Sequence, residues 1–245
     1  MPQASAADRI RAHLATVDAL RTQARSDGIN AAVSAIKRLQ AQRFQGTYAD
    51  VLAHRVQGAA ARFFLDELYG DHDFGQRDAQ FGRIAGAIER LFPEAVAELS
   101  VDLAEMHALT ETLDHTMAMH WLAQDPKESP AKRYVQAWRA TGRREARERQ
   151  LGVVGHMGLE LQRLTRSKSL LMLLKMMRRP AQAAGLSDLQ HFLEAGFAAF
   201  AELGDARPFL SIIAARERRW IDALFSDDLT VCAAALGAEL CATGP

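Results

Sequence analysis

No stretch of this chain alternates apolar and polar residues with the period of two that a half-buried strand needs. Ala, Leu, Arg, Glu and Gln dominate instead, and Val-Ile-Thr runs of strand length are few. The core therefore has to come from helices packed on helices. Punctuation marks where they end. A polar helix over 6–24 stops near Asp27-Gly28, and a second runs from Ile29 to about Phe44. Thr47 can cap a third that reaches Tyr69, with Gly70 as its left-handed stop. A fourth ends at Phe92 before Pro93, and a fifth spans 94–123. Ser129 and Pro130 open a long, bent stretch over 130–165. Another helix covers 167–178. Ser187 with Gln190 forms a capping box for a helix ended by Gly204, and Pro208 opens the last, to about Phe225.

This pattern predicts an all-α chain: a single compact multi-helix bundle of about eight main helices. Residues 1–44 read as an N-terminal helix pair packed on a helical domain over 45–225, and 226–245 as a weakly patterned tail. The number and length of the helices in 45–225 are compatible with a globin-like arrangement, an analogy that says nothing about haem.

Charge and composition narrow the partners. Lys plus Arg and Asp plus Glu both total 30, so no general attraction to nucleic acid or anionic surfaces is implied. The balance is not local. Residues 66–128 hold 14 acidic and 4 basic side chains, whereas 129–179 hold 13 basic and 3 acidic. Neighbouring faces of one fold, or two faces meeting across a dimer, explain this most simply. Cys232 and Cys241 form no CxxC and no secreted disulfide pattern. "MPQASAADRIRAHL" lacks the apolar core of a secretory signal. The most apolar run, "LLMLLKMM" at 170–177, is far below the ~20 residues of a membrane span. A cytoplasmic protein without a membrane partner is the expectation.

The densest chemistry lies in "FFLDELYGDHDFGQRD", residues 63–78, with five carboxylates, a histidine, a tyrosine and an arginine. Most of these have structural uses at a corner between two helices. Asp73 precedes Gln76 at N-cap spacing, Asp78 suits a first turn, and the phenylalanines can bury the corner. A pocket at Asp66, Tyr69, Asp73 and Arg77 is the functional alternative. The string resembles the FFLxDLYGxxDFxxRD signature of a family of uncharacterised bacterial helical proteins. The likeness continues through "ALTETLD" (108–114), "ARERQLG" (146–152), "GLSDLQHFLEAGFAAF" (185–200) and "FLSIIAARERRWIDALF" (209–225). It covers about residues 45–225. It implies a helical fold and carries no activity.

On the helix over 94–123, residues Leu99, Leu103, Met106, Thr110, Leu113 and Met117 share one face at 100° per residue. His120 falls within that face. His107, Glu111 and His115 lie at about 80°, 120° and 160°, a row leaving the core. Such a row reads as a solvated stripe, and alternatively as part of a divalent-metal site. His120 reads as a core histidine, or alternatively as a haem or metal ligand. No histidine has Glu three residues before it, which disfavours di-iron bundles. GxxxxGK[ST], GxSxG, HExxH and a strand-borne GxGxxG are all missing, which disfavours the enzyme classes that use them. His191 points away from the stripe Leu186, Leu189, Leu193, Phe197 and Phe200. "GVVGHMG" (152–158) suggests a close helix crossing or room for a ligand. "RREARER" (143–149) lacks the aromatics of single-strand binders, so nucleic acid is disfavoured. Arg216 sits in the apolar row Phe209, Ile213, Trp220 and Leu224. It calls for a carboxylate, with Asp66 and Asp114 the first choices, or for an anionic small ligand.

The leading reading is a non-catalytic helical module that binds a protein partner or small ligand, self-associates as a homodimer, and has no cofactor. A haem- or metal-containing sensor or redox protein, using His120 or His107, Glu111 and His115, is the first alternative. An enzyme at the 63–78 corner is the second.

Overall fold

The computed structural model describes residues 4–67 and 74–242. All regular structure among them is helical, in thirteen segments rather than about eight. The additional ones come from breaks that side chains and glycines impose.

Helix α1 (Ala6–Ser26) starts at Ser5, whose hydroxyl accepts from the Asp8 amide at 3.2 Å. Gly28, at φ 69°, turns the chain into α2 (Asn30–Thr47). The single helix expected over 47–69 is divided into α3 (Ala49–Leu52) and α4 (Gly58–Glu67). The cause is His54, whose Nδ1 accepts from the amides of Val56 and Gln57 at 3.2 Å each. That side chain competes with the helix for backbone donors. Gly70, expected as the helix stop, lies outside the described residues.

Helices α5 (Gly75–Leu91) and α6 (Glu94–Leu122) are parted by Phe92 and Pro93. Ser129 caps α7 (Pro130–Thr141), as the sequence indicates. The long stretch after Pro130 is two helices, because Gly142 and Arg143 both take positive φ, 62° and 58°, before α8 (Arg144–Thr165). Then come α9 (Lys168–Met176), α10 (Arg178–Ala183) and α11 (Ser187–Leu203). The capping box at Ser187 does not form. Instead Gln80 of α5 accepts from the Leu189 amide at 2.9 Å. Helix α12 (Arg207–Ser226) is followed by α13 (Leu229–Cys241), formed from the tail expected to be weakly patterned. Asp228 caps it by accepting from the amides of Thr230 and Val231 at 2.8 and 3.1 Å.

Helix α6, 29 residues and about 44 Å long, is the axis of the molecule. It packs on α1, α2, α5, α7 and α8. Three apolar clusters surround it. One joins α1, α5 and α11 to its N-terminal half, and another joins α2, α7, α12 and α13 to its C-terminal half. The third lies among α2, α4, α8, α11 and α12. Wrapping on all sides explains why α6 buries Glu111, Asp114 and His115 as well as Leu113 and Met117. The acid-rich and base-rich stretches meet across α6 and α8. Arg149 grips Glu105 with two bonds of 2.7 and 2.8 Å, and His156 lies 2.6 Å from Asp102. Of the three glycines in 152–158, only Gly158 marks a close crossing. A Cβ there would stand 2.5 Å from Leu210, while nothing lies within 4 Å of one at Gly152 or Gly155.

Candidate functional site

Of the pocket expected at the 63–78 corner, only Asp66 and Arg77 fall among the described residues. Asp66 is exposed, and Tyr69 and Asp73 lie outside the described residues. Arg77 is held structurally. Its guanidinium stacks 4.1 Å from the Phe74 ring centroid and 4.8 Å from that of Phe192, and it donates to the Glu67 carbonyl at 3.1 Å. Burial lowers its pKa below the ordinary arginine value, against the charges of Asp78 and Glu67.

The row His107, Glu111 and His115 is not a solvated stripe. Helices α1 and α2 cover that face of α6, so these side chains are buried or half-buried. Cations from the covering helices meet them. Arg21 of α1 reaches Asp78 at 2.8 Å and Glu111 at 3.2 Å, and Lys37 of α2 reaches Glu111 at 2.7 Å. His107 Nε2 lies 2.8 Å from Asp78. Burial would raise the pKa of Asp78, but the hydrogen bond from His107 and the charges of Arg77 and Arg21 outweigh it, so the carboxyl sits below its ordinary value. Glu111 is lowered in the same way, with Lys37 and Arg21 overcoming burial. Among the described residues no three His, Cys, Asp or Glu side chains come together as a metal ion would require. His115 is buried, with its Nδ1 unpartnered, and His120 is half-buried near the end of α6.

One turn beyond Glu111, Asp114 is fully buried. Gln40 donates to its Oδ1 at 2.9 Å, and Oδ2 has no partner. Burial raises its pKa above the ordinary carboxyl value, and the charges of Lys37 and Arg147 only partly oppose that. The folded state thus takes up a proton here that the unfolded chain gives up. The associated stability is complete below the unfolded carboxyl pKa and fades as pH rises through the folded one. Asp114→Asn keeps the acceptor for Gln40 and removes the titration. Its denaturation midpoint should gain on the parent's as pH rises from below the ordinary carboxyl value to neutrality; a difference constant over that whole range would show that the carboxyl does not take up the proton.

Arg216 finds a carboxylate, but neither Asp66 nor Asp114. It makes two bonds of 2.7 Å to Asp50 and a third to the Thr47 carbonyl. The side chain is 33% exposed and that of Asp50 65%, in a broad surface groove between α12 and α13. The hydrogen bonds from Arg216 hold the Asp50 carboxyl down at about 2. A pair this exposed contributes little. Arg216→Met should therefore change stability by less than about 1 kcal/mol, measured by urea denaturation; a loss several times larger would return Arg216 to the core.

Arg43, by contrast, is buried, and it pairs with Glu217 across α2 and α12. Beside it a cavity of about 50 Å³ is lined by Arg43, Tyr134, Trp138, Arg147 and Gln150, among others. That is room for one or two waters, not for an organic ligand.

Two spaces large enough for one lie elsewhere: the surface groove beside Arg216, about 850 Å³, and an apolar cavity. The cavity, of about 370 Å³, opens among α4, α5, α6, α8, α9, α10 and α11. Its walls include Phe63, Ile88, Leu103, Leu161, Leu189 and Phe197. All five residues of the stripe Leu186 to Phe200 line it, and exposed His191 does not. Among the described residues, Ser100 and Gln190 bring the only polar side-chain atoms. Ser100 donates to the Val96 carbonyl at 2.8 Å, and Gln190 donates to the Leu174 carbonyl and to Glu194. Neither has its donor free for a ligand. His120 lies about 25 Å further along α6 than Leu103, so it cannot reach this space. Helix α9 borders the cavity with Leu170, Leu173, Leu174 and the following Met177, yet buries no residue of its own. The stripe on α11 was visible in sequence. The cavity was not, although the Leu and Met on both faces of α9 were a signal.

Among the described residues no helix is long and apolar enough to cross a membrane. No curated protein and no solved structure matches the chain. A family model described as "Domain of unknown function (DUF8198)" matches residues 19–231, from within α1 to the start of α13. The expected kinship with an uncharacterised family holds at that level, and over more of the chain than 45–225. The chain belongs to this family of unknown function, DUF8198.

Proposed function

We propose that the protein is a non-catalytic binding module that holds a small molecule with a long apolar body, of the acyl- or isoprenoid-chain class, in the cavity bordered by α9. The observation that carries this reading is the cavity's lining. About 370 Å³ is within the usual range of small-ligand sites, and its walls offer dispersion and desolvation but, among the described residues, no free side-chain hydrogen-bond donor. A ligand's polar end therefore stays at the mouth. The state of α9 supports the same reading. A helix with three apolar residues along a cavity, a fourth just beyond its end, and none buried gains packing when the cavity is filled. Among the described residues the lining holds no His, Cys, Asp, Glu or Lys, and its one hydroxyl, on Ser100, is bonded to the Val96 carbonyl, which favours holding over converting the ligand.

The test is saturable binding of a fluorescent long-chain fatty acid to the purified protein. Ala87 lines the cavity and is half-buried, so a larger side chain there fills the space. Ala87→Trp should weaken binding by about tenfold or more and leave the denaturation midpoint unchanged or higher. Parent protein that shows no saturable binding, or an Ala87→Trp variant that binds as the parent does, would refute the proposal.

A further inference from the structure

The outer face of α9 is built unlike an ordinary solvated face. Successive positions at helical spacing are Lys168, Met172, Lys175 and Met176, which form one row opposite the cavity-lining Leu170, Leu173 and Leu174. All four are exposed, Met172 by 64% and Met176 by 69%. At the cavity rim Leu91 is exposed by 77% and Leu193 by 41%. The charge around this row has one sign. From Gln162 to Ser187 there is no acidic residue, while Arg163, Arg166, Lys168, Lys175, Arg178 and Arg179 are all cationic. Arg163 and Arg178 are engaged by Glu160 and Glu194. Lys168, Lys175 and Arg179 have no ion pair among the described residues. In a chain whose net charge is zero this is a concentrated basic and apolar patch.

We infer that α9 and the cavity rim form a docking surface for an anionic lipid bilayer, from which the apolar ligand enters. The inference rests on the ligand reading above for what is loaded, but not for the docking itself. The chemistry fits a bilayer surface on two counts. Lysines between exposed apolar side chains suit a helix lying in the plane of the headgroups, with its apolar atoms at the acyl boundary. The unpaired cations supply the attraction to anionic headgroups that a short helix needs in addition to burial. Continuity with the cavity favours the bilayer over an acidic protein partner. The same nine-residue helix has one face on the apolar cavity and the other on the proposed bilayer. Displacing it would let an acyl chain pass between the two without crossing water.

The test is co-sedimentation of the full chain with vesicles. The protein should sediment with vesicles of equal parts phosphatidylcholine and phosphatidylglycerol, not with pure phosphatidylcholine, and less as salt is raised. Lys168→Gln with Lys175→Gln should weaken partitioning about thirtyfold. Met172→Ser with Met176→Ser should weaken it without altering the salt dependence. These side chains do not line the cavity, so both double variants should keep the parent's denaturation midpoint and its binding of fluorescent fatty acid in vesicle-free buffer. Ala87→Trp should lose fatty-acid binding and still sediment with anionic vesicles. Equal sedimentation with both vesicle types, no sedimentation with either, or a concentration-dependent dimer abolished by Met172→Ser in their place would overturn the inference. Loss of fatty-acid binding by the parent alone would refute the ligand reading and leave docking standing.

Discussion

Replacing Arg43 by methionine should cost about 3–5 kcal/mol of folding stability. Arg43 is 5% exposed, and its Nη1 and Nη2 donate to the two oxygens of Glu217 at 2.8 and 2.9 Å. The Tyr48 hydroxyl adds a third bond to Glu217 at 2.9 Å. Burial works against the guanidinium charge, but Glu217 more than compensates and holds its pKa above the ordinary arginine value. Without the arginine, Glu217 keeps only its bond from Tyr48 among the described partners, while its side chain stays largely shielded from water. The cost of the variant is mainly that stranded carboxylate, not the net contribution of the pair. Arg43→Met combined with Glu217→Gln should therefore be more stable than Arg43→Met alone. Urea denaturation of the three proteins decides it. A single-variant loss below about 1 kcal/mol would mean that the pair is as well hydrated as that of Arg216 and Asp50.

The contrast between these two arginines shows what the sequence could and could not reveal. The row Phe209, Ile213, Trp220 and Leu224 placed Arg216 on an apolar face, and a carboxylate does meet it. But Arg216 can extend to the groove rim, as long side chains do, and its neighbour Glu217 turns inward. Arg43 follows Ile36, Leu39 and Gln40 at helical spacing and precedes Phe44, so it stood in a buried register that the sequence reading passed over. Helix boundaries set by caps were legible, as at Ser129, Pro93 and Gly204. Boundaries set by a side chain without a strong capping preference were not: His54 breaks the third expected helix. Arg143 is harder still, since positive φ is uncommon outside glycine.

The site was half legible for a similar reason. Periodicity shows which face of a helix is apolar, and it identified the α11 stripe that walls the cavity. Whether neighbouring helices close over such a stripe or leave space depends on their separation, which no single helix encodes. The polar row on α6 failed in the opposite sense. His107, Glu111 and His115 follow the pattern of a solvated face, yet α1 and α2 close over it, bring Arg21 and Lys37 to His107 and Glu111, and leave the three side chains buried or half-buried. A polar face satisfied by another helix's cations has the same periodicity as one satisfied by water.

Leu236→Asp should unfold the protein or cost more than about 4 kcal/mol at neutral pH. The sequence of 226–245 is only weakly patterned, yet α13 packs on α2 and α7. Leu236 is 1% exposed in the cluster that holds Leu39, Tyr134, Trp138 and Leu224. The pattern is weak because alanines dominate the helix, so its moment comes from a few larger residues that include Cys232 and Leu236. A carboxylate introduced there must either ionise in an apolar environment or remain protonated with a raised pKa. Its penalty therefore grows with pH above the unfolded carboxyl value and is smallest in acid. Leu236→Ala, which removes packing without adding charge, should cost about 2–5 kcal/mol with no such pH dependence. Circular dichroism melts of both variants at pH 5 and pH 8 separate the two effects. A Leu236→Asp variant that melts with the parent at both values would place α13 outside the core.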